Sequence, residues 1–176
     1  MKNFSYAVWL LFSVVMIVSG VFGCFMPLET FMGLAVLLPV FLLVGGLSNV
    51  IYYFYARRVS GAEFILIDGL LNLLFAWIFF YNGIDFTSQV IVIFVAFMIL
   101  FKGILGIGYA LKLKKLGLEW LIVFIFAFLN IIVAMIFIVN PTIGSVTIGF
   151  MIALMVLFFG IISFWFGLSS KKLFDL

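Results

Sequence analysis

An all-α membrane protein of six transmembrane helices, arranged as three parallel helical-hairpin repeats, is the fold class the sequence predicts, and three observations predict it. Of the 176 residues, 69% are hydrophobic and only 9% charged, far from the roughly half apolar, quarter charged make-up of soluble domains. Six long apolar runs divide the chain, and glycines and basic pairs recur along it at one fixed spacing. Residues 1–176 read as a single transmembrane domain, with repeat units at about 1–58, 59–115 and 116–172.

The runs cover Tyr6 to Gly23, Thr30 to Ala56, Ala62 to Tyr81, Thr87 to Leu111, Leu118 to Val139 and Ile143 to Leu168. Each approaches or exceeds the roughly 20 residues a helix needs to cross about 30 Å of hydrocarbon. Barrel strands would be about 10 residues long and alternate in polarity. These runs are long and apolar on every side, which in lipid means helix, because a helix satisfies its own backbone groups. The first run ends Val21-Phe22-Gly23-Cys24, like a cleavable lipoprotein signal. Phe22 is bulky for such a box and the segment aligns with the other outgoing helices, so it is read as a retained first helix.

Pro27, Asn82-Gly83 and Asn140-Pro141 punctuate one side of the runs, and Arg57-Arg58 and Lys112 to Lys115 the other. Connections this short make successive helices antiparallel neighbours. Lys2, Arg57, Arg58, Lys112, Lys114, Lys115, Lys171 and Lys172 all fall on the side shared by the termini, while the opposite loops carry Glu29 and Asp85. Positive residues stay inside, so both termini are expected in the cytoplasm and the chain in a plasma or inner membrane. The +3 charge is thereby explained by topology, with no nucleic-acid partner implied.

Gly46, Gly103 and Gly160 lie 57 residues apart, and each precedes a basic pair by eleven and twelve residues: Arg57-Arg58, Lys114-Lys115 and Lys171-Lys172. Pro27 and Pro141 are two such periods apart, with Ile84 at the middle position. A period of this length marks a repeated supersecondary unit, here an outgoing helix, a tight outer turn, a returning helix and a basic stop. Two helices per unit make the copies parallel, unlike the inverted repeats of many transporters. Each returning helix also carries a stripe at i, i+3 and i+7: Gly46, Asn49, Tyr53; Gly103, Gly106, Ala110; Gly160, Ser163, Gly167. Mostly small residues on one face let helix backbones approach, which drives packing in lipid. Gly46, Gly103 and Gly160 are therefore expected to be packing glycines.

Three hairpins with a glycine in each returning helix, proline at the outer turn (Pro27, Pro141), basic cytoplasmic ends and Trp9 and Trp120 near unit starts resemble the HdeD-type acid-resistance membrane protein family. The resemblance covers nearly the whole chain and implies a small bacterial inner-membrane protein tied to acid stress, without an established substrate or reaction. The middle unit departs from the pattern, with Ile84 where the others have proline and Lys102 beside the repeat glycine.

Asp68 and Lys102 are the charges set well inside apolar runs, each costing about 2.5 to 3.5 kcal/mol at the bilayer centre. At 1.5 Å per residue, Asp68 lies on the order of 10 Å deep and Lys102 on the order of 14 Å. Asn72 stands one turn beyond Asp68. Asp68, Asn72 and Lys102 are thus the candidate intramembrane polar site. Either Asp68 and Lys102 pair, or Lys102 bends back to the surface while Asp68 finds water or backbone near the headgroups; a proton or ion relay is the third reading.

No histidine is present and Cys24 is the single cysteine, which removes the commonest general base and metal ligand and any internal disulfide. No catalytic residue, cofactor or metal site is expected. Gly103, Gly106 and Gly108 lie within an apolar run with no strand before them, so they are not a phosphate loop, and proline inside Asn140-Pro141-Thr142 rules out a glycosylation acceptor. The expected protein is a small stress-associated inner-membrane protein without catalytic activity. The alternative is a transporter or channel for a small solute, ion or proton that uses Asp68 and Lys102. The partners are the lipid bilayer and, beyond it, further copies of the chain or other membrane proteins.

Overall fold

The computed structural model describes residues 2–56 and 62–174. Its elements are α1 (Lys2–Phe25), α2 (Pro27–Ala56), α3 (Ala62–Lys115), α4 (Leu121–Val139) and α5 (Pro141–Phe174), with no strand among the described residues. All five helices are long and apolar enough to cross a membrane. The chain is an all-helical, multi-pass membrane protein. Arg57 and Arg58, on which the expected orientation partly rests, lie outside the described residues, as do the side chains of Lys2, Lys171 and Lys172.

Six separate helices were expected, and the difference falls at the third. The third and fourth apolar runs are absorbed into the 54 residues of α3, whose helical geometry is interrupted at Gly83, with φ 82° and ψ −175°. Only glycine takes that conformation without strain, so the interruption rests on a single residue where a loop was expected. Asn82 Nδ2 donates to the Ile78 carbonyl at 2.8 Å and caps the first arm of α3, residues 62–82. In the second arm, residues 84–115, Thr87 Oγ1 donates to the Gly83 carbonyl at 2.9 Å.

The other two breaks occur in the same register. Met26 separates α1 from α2 and Asn140 separates α4 from α5, so Met26, Gly83 and Asn140 are 57 residues apart. Pro27 and Pro141 each open a helix, where the missing N–H costs nothing and φ is already fixed. Asn140 Oδ1 accepts the Ile143 N–H at 3.4 Å, an N-cap interaction. Thr30 Oγ1 donates to the Met26 carbonyl at 3.1 Å, matching Thr87 on Gly83.

Two compact units are present. The first comprises Met1–Phe31 and Ser145–Leu176, the second Met32–Gly144. In the first, α1 packs on α5 through glycine: a Cβ on Gly160 would stand 2.8 Å from the Ile17 nitrogen, and one on Gly20 2.6 Å from Leu157 Cα. In the second, α2 packs on the first arm of α3 and the second arm packs along α4. A Cβ on Gly46 would lie 2.9 Å from the Gly69 carbonyl oxygen, and one on Gly103 3.0 Å from that of Ala127. A Cβ on any of the three repeat glycines would therefore meet the backbone of another helix at 3.0 Å or less.

Buried positions on the returning segments repeat as well: Ala35, Pro39 and Gly46; Val92, Ala96 and Gly103; Gly149, Ala153 and Gly160. Most of these buried positions carry small residues, and the large side chains buried with them are Phe31 and Phe137. Large side chains such as Phe41, Trp77, Phe94, Leu105, Phe126 and Trp165 are exposed, the inverse of a soluble protein and the expected surface in lipid.

Candidate functional site

The contact between α2 and the first arm of α3 begins with two facing glycines. A Cβ on Gly69 would meet Asn49 Cβ and the Gly46 carbonyl oxygen, both at 3.1 Å. Removing both side chains brings the helices close enough for residues flanking the glycines to bond across them. Asn49 follows Gly46 by three residues, and Asp68 immediately precedes Gly69. Asn49 Nδ2 donates to Asp68 Oδ2 at 2.7 Å, and Asn72, one turn along α3, donates its Nδ2 to the same oxygen at 3.1 Å.

Of the predicted site residues, the structure brings together Asp68 and Asn72 and adds Asn49. Lys102 is exposed on the second arm of α3, beside buried Gly103. Among the described residues Asp68 is held by the two amides and not by Lys102. Two hydrogen bonds to a carboxylate offset part of the cost of placing it among apolar residues, but both reach Oδ2. Oδ1 has no partner among the described residues, and Asp68 remains exposed. Asn49 was visible in the sequence only as a member of the small-residue stripe; its place one turn beyond Gly46, on the face toward the next helix, is the signal that links it to Asp68.

The equivalent place in the first unit holds a different polar contact. Ser163, in the register of Asn49, bonds Ser13 hydroxyl to hydroxyl at 2.9 Å. Ser13 Oγ also donates to the Trp9 carbonyl at 2.9 Å, so Ser163 supplies the shared proton. Trp9 Nε1 donates to the Ser163 carbonyl at 3.2 Å. Between α3 and α4 the same register holds Gly106, whose Cβ would stand 2.8 Å from that of Ala127, and no polar group. Near the loop that follows, Lys114 Nζ sits 4.6 Å from the Trp120 ring, a cation–π contact at the expected cytoplasmic surface. Among the described residues no three His, Cys, Asp or Glu side chains cluster as metal ligands.

Fold and site together define a small multi-pass helical protein assembled from repeats. It belongs to the family described as "Short repeat of unknown function (DUF308)", which matches residues 11–81 and 125–175, more than half of the chain, and which contains the HdeD-like membrane proteins. The two matched stretches begin 114 residues apart, two of the 57-residue periods, and leave out 82–124, where Lys102 lies. No curated protein and no solved structure matches the chain.

Proposed function

We propose that the chain is a non-catalytic protein of the bacterial inner membrane that crosses it six times, as three parallel hairpins with both termini in the cytoplasm, and serves survival under acid or envelope stress. The observation that carries the topology is the common register of Met26, Gly83 and Asn140. A continuous helix of 54 residues would extend about 80 Å at 1.5 Å per residue, more than twice the hydrocarbon thickness. Gly83 therefore serves as the outer turn of the middle hairpin, as Met26 and Asn140 do in the other two. The stress assignment is supported by membership in the short-repeat family and by the HdeD-like pattern of glycines, prolines and basic ends.

In a Cys24→Ser background, a membrane-impermeant maleimide should label Glu29→Cys in intact cells and Glu119→Cys only after permeabilisation. The reverse pattern overturns the orientation. Deletion should lower survival at low pH or under envelope stress, while the purified protein in proteoliposomes moves no ions; survival unchanged in both assays removes the stress reading. A second reading, transport of an ion or small solute, is favoured by one observation, the exposed Asp68 carboxylate with its two amides inside an apolar span. Flux in proteoliposomes that disappears in Asp68→Asn would establish it in place of the first.

A further inference from the structure

We propose that Asn49, Asp68 and Asn72 form an intramembrane binding site for a monovalent metal cation. The proposal rests on the six-crossing reading above, which places Asp68 inside the bilayer. Both amides donate to Oδ2, at 2.7 and 3.1 Å, leaving Asp68 Oδ1 and the side-chain oxygens of Asn49 and Asn72 without described partners. One carboxylate oxygen and two neutral amide oxygens, on helices locked by the Gly46–Gly69 approach, make an all-oxygen donor set of the kind hard cations take. The charge selects the valence. A single carboxylate neutralises a Na⁺ or K⁺, whereas a divalent ion would leave a net positive charge in the apolar layer. Transition metals are disfavoured because imidazole and thiolate ligands are missing from the cluster.

Lys102 is the rival occupant. Asp68 precedes Gly69, which faces α2, and Lys102 precedes Gly103, which faces α4. One residue turns a helix by about 100°, and because the two arms run in opposite directions in the hairpin, both offsets point to the same side. On that reading the Lys102 ammonium is the internal competitor for Oδ1 that the experiment has to separate from a free cation.

A hydrophobic carbodiimide, which reacts with protonated carboxyl groups in the bilayer, tests this on the full chain in nanodiscs, with the Asp68 adduct quantified by mass spectrometry. Na⁺ or K⁺, replacing choline at constant ionic strength, should slow the labelling of Asp68 in a saturable way. Asn72→Ala should weaken that protection about tenfold, the effect of losing one good polar ligand, and Lys102→Gln should strengthen it. Equal labelling in all three salts overturns the cation site. Protection already complete in choline, and abolished by Lys102→Gln, overturns it in favour of an internal ion pair. Labelling of Asp68 by a water-soluble carbodiimide as fast as by the hydrophobic one would instead overturn the placement of Asp68 within the membrane.

Discussion

Where α2 meets the first arm of α3, Asn49 reaches a carboxylate; where α5 meets α1, Ser163 in the same register reaches a serine hydroxyl. The backbone design is shared, a repeat glycine packed on the next helix with a polar residue one turn further on, and the chemistry differs. The Ser13–Ser163–Trp9 group closes on itself, with donors met by nearby acceptors. The Asn49–Asp68–Asn72 group leaves one carboxyl oxygen open on an exposed side chain. Since a serine pair satisfies the same backbone geometry, packing alone does not require the carboxylate.

The largest expected effect is on what the contacts share. Gly46→Val, Gly103→Val and Gly160→Val should each destabilise the protein by about 2–3 kcal/mol through overpacking against backbone, read as a fall in thermal midpoint in detergent. Gly33→Ala, Gly45→Ala and Gly108→Ala, where a Cβ meets nothing within 4 Å, should be neutral or slightly stabilising. Equal losses in both groups would refute backbone approach as the role of the repeat glycines.

Next comes the turn. Gly83→Ala forces a side chain onto a φ of 82° and ψ of −175°, costing about 1–3 kcal/mol, whereas Met26→Ala, in the same register, should change stability by less than about 0.5 kcal/mol.

The smallest effect distinguishes the two polar contacts. Ser13→Ala with Ser163→Ala should show a double-mutant coupling near the roughly 0.6 kcal/mol typical of polar contacts in membranes. Asn49→Ala with Asp68→Ala should exceed it, at about 1.5 kcal/mol, because a charged acceptor is involved. Equal couplings would place both contacts in the structural class.

The returning helices were legible in the sequence because their small residues keep the 57-residue register in every copy. Their partners on the outgoing helices were harder to read. Ser13 and Gly20, and Ala127 and Ala134, hold the register, whereas the buried pair in the middle copy is Gly69 and Ala76, one position early. An extra residue therefore lies between that pair and the Gly83 turn, and the slip places Asp68 opposite Asn49. Nothing in the period shows such a slip, so Asp68 was visible as a costly charge but only one of its two amide partners, Asn72, was visible with it. The break at Asn82-Gly83 was evident from residue type, but that a single residue suffices depends on its positive φ, which residue identity does not fix.

The central claim is that every returning helix packs on the outgoing helix of the next unit, the last returning to the first. Ser13 and Ser163 are 150 residues apart in sequence, with hydroxyls 2.9 Å apart. In a Cys24→Ser background, Ser13→Cys with Ser163→Cys should form an intrachain disulfide under mild oxidation, seen as a faster-migrating monomer on non-reducing gels and reversed by reductant. Ser13→Cys paired with Gly149→Cys, 14 residues before Ser163 on α5 and packed against Pro27, should not. A free-thiol monomer, or cross-linking only between chains, would contradict the account.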